Sequence, residues 1–234
     1  MTNDIRPLVV AVDGPAGSGK SSVCRGTAAR LSWNYLDTGA MYRAMTWAVL
    51  EAGLDPNDAE AVADFAKKPD IASGSNPEQP TIEVDGTDVA DAIREDRITA
   101  AVSAVSAVPR VRQILVQKQR DAAQTAMRSG TGIVVEGRDI TTVVLPNAHL
   151  KIFLTADPEV RAQRRAKEQA DGGAVAVEVV QATEAALAKR DQLDSSRQTS
   201  PLTKAEDAIE LDTSNLTLDQ VISKVVAYAK AAAQ

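Results

Sequence analysis

The chain has 234 residues, 44% of them hydrophobic and 25% charged, which is typical of a globular protein with one full core, with or without an inserted piece. Its net charge of −6 argues against broad binding of nucleic acid, and no apolar run reaches the roughly 18 residues of a membrane helix. The single Cys24 excludes an internal disulfide and the amino terminus lacks a basic segment followed by an apolar one, so we expect a soluble cytoplasmic protein.

The first predicted strand, at residues 8–12, leads into a glycine-rich segment that fits the pattern G-x-x-x-x-G-K-[ST]. Glycines let the backbone turn tightly so that successive N–H groups point inward, and the following helix presents its positive end to the same point. This loop predicts binding of a nucleoside triphosphate. The residues expected to hold it are Gly14, Pro15, Ala16, Gly17, Ser18, Gly19, Lys20, Ser21 and Ser22.

Four further apolar runs predict strands, at residues 33–36, 132–135, 150–154 and 208–211. Helical patterns separate most of these runs, which is typical of an α/β fold whose parallel sheet is covered on both faces. One helix is expected to begin at Asp157 and Pro158, an N-cap followed by proline. The last helix is expected to begin at Thr217, which forms a capping box with Gln220.

Between residues 68 and 91 the composition shifts to Pro, Gly, Asn, Ser and Asp. Two short runs there flank Asp85-Gly86, a pair typical of a two-residue hairpin turn, and the register places Ile82 opposite Val89. These features predict a small antiparallel insertion. The expected bounds are 68–91 for the insertion and 1–67 with 92–234 for the core.

Arginines are concentrated near the predicted strand ends, where doubly wound sheets bind ligands. Arg161, Arg164 and Arg165 lie at i, i+3 and i+4, so either a solvated basic face or a segment that closes over a triphosphate accounts for them. We favour the second interpretation, a lid at about residues 157–177 with its turn at Asp171-Gly172-Gly173.

Two elements of other P-loop proteins are missing from the sequence. The segment Thr203-Lys204-Ala205-Glu206 ends in the wrong residue for the guanine-reading N/T-K-x-D element. The apolar run at residues 133–135 continues into Glu136 rather than into the aspartate that holds magnesium in many ATPases. The arginines therefore indicate transfer of a phosphoryl group rather than a nucleotide switch.

Four motifs follow the P-loop in a set order, namely Leu36-Asp37-Thr38-Gly39-Ala40-Met41-Tyr42-Arg43, Pro109-Arg110-Val111-Arg112, Glu136-Gly137-Arg138-Asp139 and Arg190-Asp191-x-x-Asp194-Ser195-x-Arg197 with Ser200-Pro201-Leu202. With them the chain resembles the bacterial cytidylate kinase family over nearly its whole length, whereas an adenylate kinase would show D-G-x-P-R in place of the third motif. The resemblance implies a P-loop NTPase-type parallel sheet of five strands in the order 2-3-1-4-5, flanked by helices, with the insertion and a helical lid. It also implies Mg²⁺-assisted transfer of the γ-phosphoryl group of ATP to CMP or dCMP, and it favours a monomer.

The resemblance further implies roles for individual residues. The acceptor phosphate would be held by Arg43, Arg138 and Arg197, the cytosine read by Ser103, Arg112 and Asp139, the sugar reached by Arg190 and Asp194, and the CMP site completed by Thr38 and Tyr42. Catalysis would fall to Lys20, Arg138, Arg161 and Arg165, with Arg161 also on ATP. Lys20 would bridge the β- and γ-phosphates, and the hydroxyl of Ser21 or Ser22 would lie by the Mg²⁺ or its waters.

One departure from the family pattern is Thr141, which stands where glycine is common and lacks glycine's freedom at positive φ, so we expect the loop after Asp139 to differ slightly. Two other functions stay open. A broader pyrimidine kinase would also accept UMP, against which Asp139 would discriminate by accepting the cytosine amino group. A non-catalytic nucleotide-sensing regulator would show broken arginine positions, whereas every family arginine that can be placed is present.

Overall fold

The computed structural model describes residues 5–170, 173 and 175–234, and its centre is a parallel sheet. Numbered along the whole chain, the strands of this sheet are β1 Val9–Asp13, β2 Asn34–Asp37, β6 Ile133–Gly137, β7 Leu150–Thr155 and β8 Ile209–Asp212. They lie in the order β2-β6-β1-β7-β8, and every neighbouring pair is parallel. Counted among themselves the strands follow the order 2-3-1-4-5, so the predicted fold class is confirmed.

Helices cover both faces of the sheet. They are α1 Lys20–Leu31, α2 Thr38–Glu51, α3 Ala59–Phe65, α4 Asp96–Ala107, α5 Pro109–Arg128, α6 Pro158–Gln169, α7 Val177–Ser195 and α8 Leu218–Ala232. Val10 and Val12 of β1 belong to the apolar cluster with α1 and α8, whereas Val9 and Ala11 belong to the cluster with α2 and α5. Because successive side chains of a strand point to opposite faces, β1 is buried on both sides.

A small antiparallel sheet lies between α3 and α4. Its strands are β3 Ile71–Ser73, β4 Ile82–Val84 and β5 Thr87–Asp88, in that order. Asp85 and Gly86 both have positive φ, 51° and 78°, as a two-residue hairpin turn requires. The Val89 N–H donates to the Ile82 carbonyl oxygen at 3.0 Å, so the predicted register is confirmed. The sequence patterns did not indicate β3, and the bounds 68–91 stay a prediction.

Both predicted helix starts are confirmed. α6 begins at Pro158 with Asp157 as its N-cap, although the Asp157 side chain accepts no capping hydrogen bond. α8 begins after Thr217 with the reciprocal capping box, in which the Gln220 N–H donates to the threonine hydroxyl and the Thr217 N–H donates to the glutamine side chain. Within the described part of the chain, no helix combines the length and apolarity needed to cross a bilayer.

The helices α6 and α7 pack against each other beside the P-loop. A cluster of Ala16, Ala162 and Leu187 joins the loop to the two helices. The turn predicted at residues 171–173 falls largely outside the described residues, because 171 and 172 are not among them. The predicted lid bounds, 157–177, stay a prediction.

Candidate active site

The segment between β1 and α1 forms a tight loop at the carboxyl end of the sheet. A Cβ atom on Gly14 would lie 2.2 Å from the Leu154 carbonyl oxygen of β7, so no side chain fits there. Gly19, at φ 83°, precedes the first turn of α1 and has no side chain to cap it. The N–H groups of that turn are therefore available to an anion, which the positive end of the helix also attracts.

The ammonium group of Lys20 lies folded back on this loop. It donates to the Pro15 carbonyl oxygen at 2.8 Å and to the Ser18 hydroxyl at 3.3 Å. Burial, followed by the positive charge of Arg138, lowers the pKa of Lys20 to about 7. The free loop therefore holds a weakly charged amine next to N–H groups that face an anion site.

A buried carboxylate, Glu136, lies at the end of β6 beside the P-loop. It accepts hydrogen bonds from the Tyr35 hydroxyl and, at 3.1 Å, from the Ser21 hydroxyl. Burial, and then the negative charge of Asp37, raises the pKa of Glu136 to about 7. Oxygen ligands of this kind suit Mg²⁺, which prefers carboxylates, water and substrate phosphates.

Arginine side chains line the same space as the P-loop. We call five of them the arginine wall, namely Arg43, Arg138, Arg165, Arg190 and Arg197. Burial, followed by the charge of a neighbouring arginine, lowers the pKa of Arg43 and of Arg190 to about 10. The Nε atom of Arg190 is buried and has no hydrogen-bond partner among the described residues. Asp194, only 1% exposed, offsets part of this charge by accepting from Arg138 at 3.1 Å and from Arg197. The wall thus presents several guanidinium groups, the usual ligands of phosphate.

In the same cleft, Arg112 and Asp139 form a buried ion pair in which each side chain is 5% exposed. The guanidinium group of Arg112 also lies over the Tyr42 ring, 5.4 Å from its centre. Ser103 on α4 lines the same space. A carboxylate and a guanidinium side by side can accept from an amino group and donate to ring acceptors, which matches the hydrogen-bonding edge of cytosine.

The three arginines at i, i+3 and i+4 of α6 have different environments. Arg165 lines the site, and its guanidinium also donates to Glu168 at 3.1 Å. Arg164 donates to the Thr213 hydroxyl at 2.9 Å and to the Thr213 carbonyl oxygen at 2.7 Å, next to the P-loop. Arg161 is 9% exposed and lies deeper. The solvated basic face is therefore not what this helix presents.

Arg161 takes part in a joint between the P-loop and the helix pair α6–α7. Its guanidinium donates to the Ala16 carbonyl oxygen at 3.0 Å and to the carboxylate of Asp191. The other oxygen of Asp191 accepts the Ala16 N–H at 3.0 Å. One P-loop residue is thus held from both backbone groups by side chains of α6 and α7.

These groups enclose a cleft of about 690 Å³. Most of the predicted site residues line it, namely Ala16, Gly17, Gly19, Lys20, Ser21, Ser22, Thr38, Tyr42, Arg43, Ser103, Arg112, Arg138, Asp139, Arg165, Arg190, Asp194 and Arg197. Four predicted residues do not line it, which are Gly14, Pro15, Ser18 and Arg161.

Several residues of the site were not predicted from the sequence, and among them are Glu136, Arg94 and Asp191. Glu136 and Arg94 line the cleft, and Asp191 forms the joint with Arg161. A polar residue that ends a buried strand was the available signal for Glu136. The position of Arg94 in a short 3₁₀ turn, Ala92–Arg94, after the insertion gives no comparable signal.

Comparison with known proteins agrees with this geometry. The family model described as Cytidylate kinase matches residues 10–231. The chain is 56% identical to a cytidylate kinase of Streptomyces avermitilis, over 94% of this chain and 91% of that protein. It is 53% identical to a cytidylate kinase of Nocardia farcinica, over 94% of each chain, and 47% identical to one of Corynebacterium efficiens, over 97% of this chain and 96% of that protein.

Proposed function

The chain belongs to the cytidylate kinase family and phosphorylates CMP at the expense of ATP, and we propose that the γ-phosphoryl group passes directly to CMP or dCMP in the arginine-lined cleft. The observation that carries this proposal is that the P-loop and the arginine wall line one and the same cleft. A phosphate oxygen of the acceptor attacks the γ-phosphorus, the bond from that phosphorus to the β–γ bridging oxygen breaks, and CDP or dCDP and ADP are formed.

On the ATP side, the P-loop N–H groups would hold the β- and γ-phosphates. Lys20 would leave the Pro15 carbonyl oxygen and bridge these phosphates, with its charge restored by theirs. Arg165 would neutralise charge on the transferred group, and Arg161 would contact ATP from its joint with Asp191.

On the CMP side, no general base is required, because the acceptor phosphate is already an anion near neutral pH. Arg43, Arg138 and Arg197 would bind it, and Thr38 would lie beside it. Arg190 and Asp194 would reach the sugar. Their other contacts do not depend on the 2′ position, so the site would accept either a ribose or a deoxyribose. Catalysis is then the positioning of two anions against their mutual repulsion.

A magnesium ion bound with ATP would supply positive charge between the phosphates. The residues present fit it, because the Ser21 hydroxyl and the Glu136 carboxylate are adjacent oxygen ligands beside the P-loop, with Ser22 on the same wall. We assign the nearer role to Ser21, the residue that follows the lysine in the loop pattern.

The base would be read by the Arg112–Asp139 pair, with Ser103 and Tyr42 alongside. Asp139 would accept the cytosine amino group, whereas uracil would turn an oxygen toward the same carboxylate. A location in the cytoplasm and a monomeric state remain predictions from the sequence.

The experiment is an ADP-release assay of the purified chain with ATP and Mg²⁺ and, separately, CMP, dCMP, UMP, AMP and GMP. We expect turnover with CMP and dCMP and little with the other acceptors. Turnover with UMP as fast as with CMP would contradict the proposed role of Asp139. Binding of ATP without turnover of any acceptor would contradict the kinase mechanism as a whole.

A further inference from the structure

The carboxylate proposed to read cytosine, Asp139, is followed by a single π-helical turn, Ile140–Val144. The backbone of Asp139 is part of this turn, because its carbonyl oxygen accepts the N–H groups of Val143 at 2.9 Å and Val144 at 3.1 Å. A movement of the turn therefore moves the Asp139 carboxylate relative to Arg112.

A second buried carboxylate, Asp13, holds the beginning of the turn. One oxygen accepts the Ile140 N–H at 2.9 Å, and the other accepts both the N–H and the hydroxyl of Thr141, at 2.8 Å and 2.7 Å. Asp13 is fully buried and Thr141 is 1% exposed, so these bonds form away from water. Burial raises the pKa of Asp13, and the bonds from Thr141 act in the opposite direction by favouring the ionised carboxylate.

A cation holds the other end of the turn. Arg120, from α5, donates to the Val144 carbonyl oxygen at 2.9 Å and to the Val143 carbonyl oxygen at 2.8 Å. The anion thus lies at the N–H end of the turn and the cation at its carbonyl end, which is the arrangement that aligned peptide dipoles favour. Side chains from two other elements, β1 and α5, brace the turn at both ends.

Asp13 also connects the turn to the P-loop. It is the last residue of β1 and directly precedes Gly14, the first residue of the P-loop. The same side chain that fixes the turn after Asp139 therefore belongs to the strand from which the ATP-binding loop begins. Thr141 is not among the non-glycine residues with positive φ, so this position does not require the conformational freedom of glycine.

We propose that Thr141 and Asp13 are positioning residues for cytosine selection, because their hydrogen bonds hold the turn that aims the Asp139 carboxylate. This inference rests on the proposed role of Asp139 in reading the base. Among the hydrogen bonds that Asp13 accepts from the turn, the one from the Thr141 hydroxyl can be removed by a substitution that leaves the backbone donors in place. Loss of that bond frees the turn to shift, and misplacement of a substrate-contacting group by about 1 Å is enough to weaken its effect strongly.

The test compares the full-length Thr141→Val variant, which keeps the shape but loses the hydroxyl, with Thr141→Ser, which keeps the hydroxyl. The kcat/KM values for CMP and for UMP are measured at a temperature at which circular dichroism shows each variant folded. We expect Thr141→Val to lower the CMP-to-UMP ratio about fivefold, mainly through the KM for CMP, with the KM for ATP unchanged. Thr141→Ser should restore the ratio to near that of the unsubstituted chain.

A purely structural role predicts a different result. Loss of folded protein lowers kcat/KM for CMP and for UMP by the same factor, so their ratio stays unchanged. An unchanged ratio in Thr141→Val overturns the inference, and so does a ratio lowered equally in Thr141→Ser. If Thr141→Val does not fold, Arg120→Met, which frees the other end of the turn, is measured instead and should lower the ratio in the same direction. Equal losses for CMP and UMP in Asp139→Ala would overturn the proposed base contact itself, which separates the two failures.

Discussion

At the scale of single residues, the proposed choice of acceptor base depends on the Asp139 carboxylate. Replacement of Asp139 by alanine removes the acceptor for the cytosine amino group and leaves Arg112 without its buried partner. Because uracil has no such amino group, the substitution should lower kcat/KM for UMP less than for CMP. We expect Asp139→Ala to lower kcat/KM for CMP at least tenfold more than for UMP, measured by ADP release with each acceptor.

The Asp139→Asn variant makes this prediction sharper. Its amide keeps the shape of the carboxylate and adds an N–H donor that can face the uracil oxygen. The ratio of kcat/KM for UMP to that for CMP should therefore rise more in Asp139→Asn than in Asp139→Ala. Equal losses for both bases in both variants would exclude Asp139 from base selection.

The Lys20 amine gives a proton-linked prediction. Because burial and the charge of Arg138 lower the pKa of this amine to about 7, most of it is neutral at pH 8 in the free chain. Phosphates restore its charge by raising the pKa, and they raise the pKa of the neighbouring Glu136 as well. Binding of ATP without metal should therefore take up protons at pH 8, and the uptake should decline as the pH falls below 7.

Calorimetric titrations with ATP and a chelator, in two buffers of different ionisation enthalpy, measure this uptake. Lys20→Arg is the matched control, because arginine stays charged at pH 8 and so removes the contribution of the lysine. The same binding enthalpy in both buffers would contradict the prediction. Magnesium should reduce the uptake, since a cation beside Glu136 favours its ionised form.

Single residues that line the cleft could be predicted from the sequence where they belong to a motif of fixed local spacing. The P-loop and the arginine motifs could be recognised because their spacing is local, and most of their residues line the cleft. The partners of Asp13 and Glu136 could not be recognised, since their hydrogen bonds join residues 127 and 115 positions apart. Buried polar groups take whatever partner the fold brings to them, and the sequence does not reveal that partner in advance.

At the scale of elements, hydrophobic patterns located every strand of the parallel sheet but displaced most of their ends. The first strand was predicted at residues 8–12 and lies at Val9–Asp13, and the third core strand extends past its apolar run to include Glu136 and Gly137. The reason is that a strand ends where its backbone pairing with a neighbouring strand ends, not where its apolar run ends. Glu136 is polar but still pairs with Val12 of β1. The three-residue strand β3 was too short to show a period.

The helix pair α6–α7 shows why an element's environment matters for its charges. Sequence spacing places Arg161, Arg164 and Arg165 on one helix face. In the fold these arginines have different partners. Arg161 contacts the P-loop, Arg164 donates to Thr213, and Arg165 lines the cleft. Like charges on one helix are tolerated here because each finds its own acceptor, a distribution that spacing alone does not reveal.

At the scale of the whole molecule, a chain with a net charge of −6 concentrates guanidinium groups around one cleft. Burial lowers the pKa values of Arg43 and Arg190, and the positive charge of a neighbouring arginine lowers them further. The fold offsets this positive charge with buried carboxylates, of which Asp194 holds two arginines at once. Internal anions thus offset the positive charge of the free chain at the place where substrate anions are proposed to bind.

This arrangement predicts how Asp194→Asn changes stability. The substitution leaves Arg138 and Arg197 without their shared counter-charge, so the free energy of unfolding should fall by about 3 kcal/mol in buffer without phosphate. We expect inorganic phosphate to bind the same guanidinium groups only in the folded chain, so tens of millimolar phosphate should recover part of the loss. The matched control is Asp207→Asn, an exposed partner of Lys151, which should leave stability nearly unchanged with or without phosphate. Urea unfolding of both variants, with potassium chloride at equal ionic strength replacing phosphate, separates anion binding from screening. If phosphate stabilises the unsubstituted chain as much as Asp194→Asn, the carboxylate does not serve as the internal counter-ion of this cleft.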